Sequence, residues 1–503
     1  MENNVYIIGT FVTPIVGAIV ALFFAKHNRI QRYIGVFTAL IAWLFSGILL
    51  SQVHSLGIQT YNLGLFQPPY GIVFVADALG GLFAFMVATI MVGGLIYTLH
   101  GKDKCMTYPA FVPLFLIMEV GLIGAMLTGD LFTLFVCIEL TVLASVSLTA
   151  VSDDQYGLEA ALKYIFISSM GTLFLLFGIA AMYATLGTLN MAHMAELLAT
   201  GDRPFLAPAA ALMLLSAFLL KGAVFPFHFW QPDFHTTAPT PVSAMLSSIV
   251  VKVGVYGILR LVTLLFTVEA PIIQHYLVLL GFIGIIFGSL GALRTYNAKR
   301  MLAYSTFAQI GFILVGIGWG NPLALVGAIV YAFNHAFIKS SLLMLMGVVA
   351  SYTKIKSANF ADINGIGKKI PPMTGWLVLL GGLSLAGIPP LNGFISKLTL
   401  IQGGIQKEDW TVLIAMVGAG ILTVMYMIRA WQNIFQQKPL ETTAKTKPIG
   451  EGDSLLAPFL LITACLFLGI VFAEPLVVMV TATVNQLNDP NLYITAVNLA
   501  AGS

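Results

Sequence analysis

The stretch KGAVFPFHFWQPDFHTTAPTPVSAMLSSIVVKVGVYG, residues 221–257, decides the fold. It finishes one apolar run, 207–230, and opens another, 240–263. Each is close to the twenty or so residues needed to cross a bilayer core of roughly 30 Å. Pro226 lies inside the first run. Proline removes a backbone donor and clashes with the preceding turn, so a helix breaks or kinks there. Broken backbone at membrane depth is tolerated only inside protein or beside water. Lys221 stands just before the break, and Lys252 stands in the middle of the second run. A charge at the centre of a helix in lipid costs at least about 2.5–3.5 kcal/mol. The segment therefore predicts a many-helix membrane protein with a polar interior.

The rest of the chain repeats this pattern. Of 503 residues, 58% are hydrophobic and 9% charged, far below the roughly 25% charged in a soluble domain. Fourteen apolar runs are predicted as spans, at 5–25, 33–52, 73–98, 110–128, 130–151, 160–186, 207–230, 240–263, 270–292, 299–318, 323–351, 374–402, 410–436 and 454–484. The first, after MENNVYIIGTF, lacks a basic flank and a small-residue cleavage site, so it reads as a retained helix. The expected class is an all-α polytopic membrane protein. The net charge of +3 makes no case for nucleic acid, and Cys105, Cys137 and Cys465, with no CxxC pair, read as packing residues.

Lysine and arginine mark the topology. Odd-numbered loops hold Lys26, Arg29, Arg32, Lys102, Lys104, Arg294, Lys299, Arg300, Lys354, Lys356, Lys368, Lys369, Lys438, Lys445 and Lys447; even-numbered loops hold only Arg203 and Lys407. A missed or false span would mix the two sets. The bias predicts both termini on the non-cytoplasmic side.

Ten charges remain inside the runs: Lys163, Lys221, Lys252, Arg260, Lys339, Lys397, Arg429, Asp77, Glu119 and Glu139. Arg260 and Arg429 are expected to snorkel toward an interface. Spans 4–8 and 9–13 read as two copies offset by about 170 residues. YIFISS at 164–169 aligns with HAFIKS at 335–340, Glu139 with Gln309, and Arg260 with Arg429. Five helices is an odd number, so the copies enter the membrane from opposite sides and the repeat is inverted. The expected units are 1–109, 110–263, 264–436 and 437–503. Spans 7 and 12 occupy matching places and both are interrupted, the second by Pro389, Pro390 and Gly393 in LSLAGIPPLNGFISK.

Glu139, Lys221, Lys252, His335 and Lys397 are expected to lie on one buried line, with His335 and Lys339 one helical turn apart. Burial disfavours the charged form of a carboxylate and of an ammonium alike, bringing both within reach of proton exchange near neutral pH, and histidine bridges such steps. Tyr164, Ser168, Tyr304 and Ser305 are candidates for ordering the connecting water. Lys163, Lys339, Asp77, Glu119 and Tyr304 are accessory candidates. The bland alternative is static ion pairs that fix helix packing; for Asp77 and Glu119, contacts to a neighbouring protein compete with conduction. His228 and His235, flanking Trp230 and Asp233, make a poor metal set. There is no phosphate-binding loop, dinucleotide fingerprint or nucleophile elbow.

The segments GDLFTLFVCIEL (129–140), 221–257 and GIPPLNGFISKL (387–398) resemble the antiporter-like subunits of respiratory complex I and its relatives, over roughly residues 70–435. Within that family the resemblance is nearest to the D-type member of Mrp-type multisubunit Na+/H+ antiporters. It implies fourteen helices, an inverted five-helix repeat with broken helices 7 and 12, and a central hydrophilic axis. It assigns functional roles to Glu139, Lys221, Lys252, His335 and Lys397. Many complex I homologues of this size carry glutamate where Lys397 stands, and that lysine, with the short C-terminus, favours the Mrp reading. The resemblance further implies a hetero-oligomeric complex in a bacterial plasma membrane, H+ as the ion carried with Na+ a second candidate, and no cofactor. A redox-driven pump component and a structural membrane scaffold are the competing expectations.

Overall fold

The computed structural model describes residues 4–151, 154–200, 204–441, 443, 445–448 and 451–501, so Arg203 lies outside the described residues. With no water in the hydrocarbon core, each backbone amide must be satisfied within its own segment, which makes helices the default for these apolar runs. Among the described residues ten helices are long and apolar enough to cross a membrane, and a bent pair makes an eleventh. Three shorter apolar helices, Phe111–Leu127, Ala207–Lys221 and Pro372–Ala386, fall at spans 4, 7 and 12. All fourteen expected positions are thus helical.

Burial sorts the spans. Of the most apolar windows, 94% is buried in span 8 (Thr240–Leu265) and span 11 (Pro322–Ser351), and 89% in span 10 (Ala298–Gly318). Only 33% is buried in span 1 (Val5–Phe23) and span 6 (Gln155–Leu186). The helices that carry Lys252, His335 and Lys339 therefore sit at the centre, and spans 1 and 6 lie toward the outer wall. Short polar side chains start many of the helices. Asp77 accepts from Gly80 N at 2.9 Å for span 3 (Ala78–Leu99), Asp130 from Thr133 N at 2.7 Å for span 5 (Leu131–Ala150), and Asn321 from Ala324 N at 2.7 Å for span 11. Each satisfies one orphan amide of a helix N-terminus.

The expected interruptions are present. Span 7 is two helices, Ala207–Lys221 and Trp230–Thr237, and span 12 is Pro372–Ala386 and Asn392–Lys407. Span 8 carries two π-helical turns, Leu246–Val250 and Leu261–Leu265. Three features depart from expectation. Span 14 is not one helix: Leu456–Ile470 and Ala473–Leu487 meet at 79°. Residues 73–76, assigned to span 3, form a strand, Val73–Ala76, paired antiparallel with Gln59–Asn62. Short helices Met191–Thr200 and Pro490–Ala501 were not expected.

The lysine-rich loops 352–372 and 437–453 pack on each other. Lys354 N donates to Lys445 O at 3.0 Å, and Lys447 N donates to Tyr352 O at 2.8 Å. Beside them a vestibule of about 760 Å³ is lined by Asp103, Asp154, Thr240, Lys299, Lys356 and Asp453, among others. These residues come from odd-numbered loops and the helix ends next to them, as a correct span count requires.

Candidate functional site

Glu139, on span 5, meets Lys221, the last residue of the first half of span 7. Lys221 Nζ lies 3.2 Å from Glu139 Oε1 and donates to Ser168 Oγ at 2.6 Å and Ser168 O at 3.2 Å. Thr172, one turn beyond Ser168 on span 6, donates to Glu139 and lies 3.3 Å from Lys221 Nζ. The Lys221 side chain is 7% exposed and that of Glu139 25%. The pair therefore lies at the flank of the bundle, between spans 5 and 6, with its acid turned outward.

Lys252 and His335 form a second pair, both fully buried. Lys252 Nζ sits 2.7 Å from His335 Nδ1 and donates to Ser247 O at 3.1 Å. The π turn Leu246–Val250 explains the second bond: its wider ladder leaves a carbonyl open to the ammonium five residues on. Two full positive charges at 2.7 Å would repel by about 6 kcal/mol at an effective dielectric near 20. The pair thus holds one proton more readily than two, and its hydrogen bond is satisfied by either partner donating. His335 Nε2 is buried without a hydrogen-bond partner, an open valence for a water.

Beside Lys221 lies a small apolar cavity lined by Ile138, Thr141, Tyr164, Lys221, Val250 and Val253. Its roughly 20 Å³ of water-sized space holds about one water molecule. Lys397 lies beyond the second pair. Its Nζ donates to Leu385 O at 3.1 Å and Ala386 O at 3.0 Å, and stands 5.0 Å from the Phe312 ring centre. Those carbonyls end Pro372–Ala386, where the helix dipole favours a cation. Asn334, Asn392, Ser384 and Ser396 join this end in one network: Asn334 Nδ2 donates to Ser396 Oγ at 2.9 Å and Ser384 Oγ to Asn392 Oδ1 at 2.6 Å. Lys339 is fully buried and donates to Leu302 O at 2.8 Å. Lys252, Lys339 and Lys397 all act electrostatically on His335, which makes it the hub of the set. Among the described residues no carboxylate pairs with these three lysines.

Other accessory candidates are corrected. Lys163 is half-exposed and pairs with Glu159 at 2.6 Å and Asp233 at 3.0 Å, outside the line. Tyr304 turns to the outer wall, its ring against Phe287 and Phe307. Asp77 is fully engaged by Arg260, with Nη1–Oδ2 at 2.7 Å and Nη2–Oδ1 at 2.5 Å. Arg260 does not snorkel. It is 3% exposed, donates also to Tyr256 Oη at 3.0 Å, and lies over the Tyr493 ring. Arg429 does reach an end, donating to Leu293 O and Thr295 O. Glu119 is completely buried, so it touches no neighbouring protein, and neither carboxylate oxygen has a hydrogen-bond partner. His228 packs among Phe225, Phe287 and Phe307, whereas His235 bonds Ser243, so they share no ligand site. Sequence reasoning missed Thr172 and the Asn334–Asn392 network. A short polar residue one turn from Ser168, and an asparagine beside His335, were the available signals.

A polytopic helical bundle with titratable side chains strung across its buried centre is the architecture of an ion-transport protein. Residues 128–423 match the family described as NADH:quinone oxidoreductase/Mrp antiporter, TM. The D component of the Na(+)/H(+) antiporter of Alkalihalophilus pseudofirmus is 32% identical over 497 residues, 98% of this chain and 99% of the relative. The N component of the NADH-quinone oxidoreductase of Desulforudis audaxviator is 33% identical over 479 residues, covering 89% and 93%. A chain in the structure of the Mrp complex from Dietzia sp. DQ12-45-1b superposes with a TM-score of 0.88 at 23% identity, over 98% of both chains. The chain belongs to the NADH:quinone oxidoreductase/Mrp antiporter membrane family.

Proposed function

We propose that this chain is a proton-translocating subunit of a multisubunit Na+/H+ antiporter in a bacterial plasma membrane, with both termini on the non-cytoplasmic side. Protons move along Glu139, Lys221, Lys252, His335 and Lys397, and their flow drives cation export by the complex. The observation that carries this reading is the two couples Glu139–Lys221 and Lys252–His335, with a water-sized cavity beside Lys221. Similarity to the D component of the Alkalihalophilus antiporter over nearly the whole chain supports the antiporter assignment. Glu139, partly exposed at the flank, faces the place where a neighbouring protein of the complex continues the line. The breaks at 222–229 and 387–391 support two repeat units, 110–263 and 264–436.

The test is Lys221→Ala in a salt-sensitive, antiporter-deficient host. Loss of Na+-dependent proton movement with normal assembly is expected; full antiport would exclude the role of Lys221. The similarity to the N component of the quinone oxidoreductase favours a second reading, a part of a redox-driven pump. Gene neighbours separate the two: small antiporter subunits against iron–sulfur and quinone-module subunits. Under the scaffold reading, charge-neutral substitution at Glu139, Lys221 and Lys252 leaves transport unchanged.

A further inference from the structure

Span 9 (Ala270–Arg294) meets span 10 (Ala298–Gly318) along its glycines. A Cβ at Gly288 would stand 2.7 Å from Tyr304 O, and one at Gly291 would strike the Tyr304 ring. The backbones therefore close on each other, and the larger side chains of span 9 are turned aside. Ile283, Phe287, Leu290 and Arg294 recur at three- and four-residue spacing and so share one face. Phe287 is 41% exposed and Leu290 54%. Beside this face runs a groove of about 760 Å³, walled on its other side by Tyr304 and Arg300 of span 10, with Arg294 and Tyr296 at one end.

The groove has the length of one leaflet and a charge at one end. From Phe282 to Arg294 span 9 rises about 18 Å, against about 15 Å for half of the hydrocarbon core. Between those ends its lining side chains on span 9 are apolar. The two arginines stand at the odd-numbered loop between spans 9 and 10, on the side where lysine and arginine collect. Arg294 is exposed and pairs with no acid among the described residues. Arg300 gives Nη1 to Asp233 Oδ1 at 3.2 Å and has further N–H donors in its fork. Tyr296, 80% exposed beside them, has the apolar ring and polar tip that suit the head-group level. Uncompensated positive charge thus caps an apolar slot open to the lipid.

We propose that the groove between spans 9 and 10 is a binding site for an anionic phospholipid from the leaflet on the lysine- and arginine-rich side. An acyl chain lies along Phe287, Leu290 and Tyr304, and Arg294 and Arg300 hold the phosphate. Basic pockets between helices take anionic head groups by this chemistry. A zwitterionic lipid fills the apolar part equally well but brings no net negative charge to the arginines. The site reaches into the bundle: the Phe287 ring packs against Phe225 and His228 of the span 7 break, with ring centres 5.7 and 4.7 Å apart. The acyl chain therefore backs the broken segment.

The experiment places the full complex in vesicles with a trace of phosphatidylglycerol carrying a diazirine in its acyl chain, irradiates them and maps the labelled peptides. Labelling of 282–304 is expected to exceed that of the exposed face of span 13 (Trp410–Phe435), at Ile414, Val417 and Ile421. Phosphatidylcholine with the same chain is expected to label the two segments alike. Arg294→Gln should lower phosphatidylglycerol labelling of the groove about fivefold, and Arg294→Lys should keep most of it. Equal labelling of the groove by both lipids, or no effect of Arg294→Gln, would overturn the proposal. So would a groove labelled by neither lipid in which Leu290→Cys cross-links to another subunit, which would make this face a protein interface. Should Arg294→Gln fail to assemble, the comparison of the two lipids on the wild-type complex decides.

Discussion

Replacing Asp77 by Asn separates a static ion pair from a conducting one. Asp77 and Arg260 meet through two hydrogen bonds of 2.7 and 2.5 Å, with side chains 2% and 3% exposed. At a separation of charge centres near 4 Å and an effective dielectric near 20, their attraction is about 4 kcal/mol. Removing one partner leaves the guanidinium buried and unpaired, which costs roughly 3–5 kcal/mol. Asp77→Asn is therefore expected to lower the melting temperature of the detergent-solubilised complex by several degrees and to reduce its yield. The double variant Asp77→Asn, Arg260→Met keeps an N-cap for Gly80 N and removes both charges, and should recover most of that stability, because the guanidinium is no longer left buried and unpaired. Once assembled, it should transport at close to the wild-type rate. Fluorescence-detected thermal unfolding and vesicle antiport give the two readouts. If Asp77→Asn melts like wild type yet abolishes transport, the pair is not static and the reasoning fails.

Glu139→Gln removes the one carboxylate facing Lys221, and loss of at least about tenfold in antiport is expected, measured as Na+-induced proton movement in vesicles. Lys397→Glu sets a carboxylate against the Leu385 and Ala386 carbonyls that now accept from the ammonium; the variant should be poorly active, and full activity would show that this end tolerates either sign. His335→Ala removes the hub and should abolish transport while assembly, followed by native gel, persists. At the vestibule rim, burial pushes the Asp103 carboxyl up, but Lys356, 3.0 Å away, and the Cys105 amide outweigh it and hold it below its ordinary value. A depressed carboxyl stabilises above its unfolded pKa and loses that contribution as pH falls through its folded one. The wild-type advantage over Asp103→Asn in melting temperature should therefore be present at neutral pH and vanish below about pH 4. For a partly exposed pair it is worth under about 1 kcal/mol.

Local signals carried much of the fold. The breaks of spans 7 and 12 were legible because proline acts on its own turn, and the parity of the loops because lysine placement is counted without knowing any packing. The 79° bend in span 14 was missed although Gly469 and Pro475 flank it, because the run stays apolar through Val471 and Phe472 and hydropathy alone reads it as one span. Among the site residues, an isolated Glu139 in FTLFVCIELTVLASV announces itself by its cost in lipid. Tyr304 and Lys163 misled because a helix position states a turn, not which neighbour that turn faces. Thr172 escaped for the opposite reason, since a hydroxyl in a membrane helix can bond its own preceding turn and so costs little alone.

By itself the sequence determined that this chain is a helical membrane protein, where its apolar runs lie, and which charges stand inside them. Those follow from composition and from the energy of placing a charge in hydrocarbon, both of which are properties of a segment. Only the tertiary structure decided which charges meet. It gave Asp77 to Arg260, turned Lys163 out to the rim and set Lys252 against His335. Such pairings depend on the rotation of each helix about its axis, and that is set by packing against neighbours many residues away.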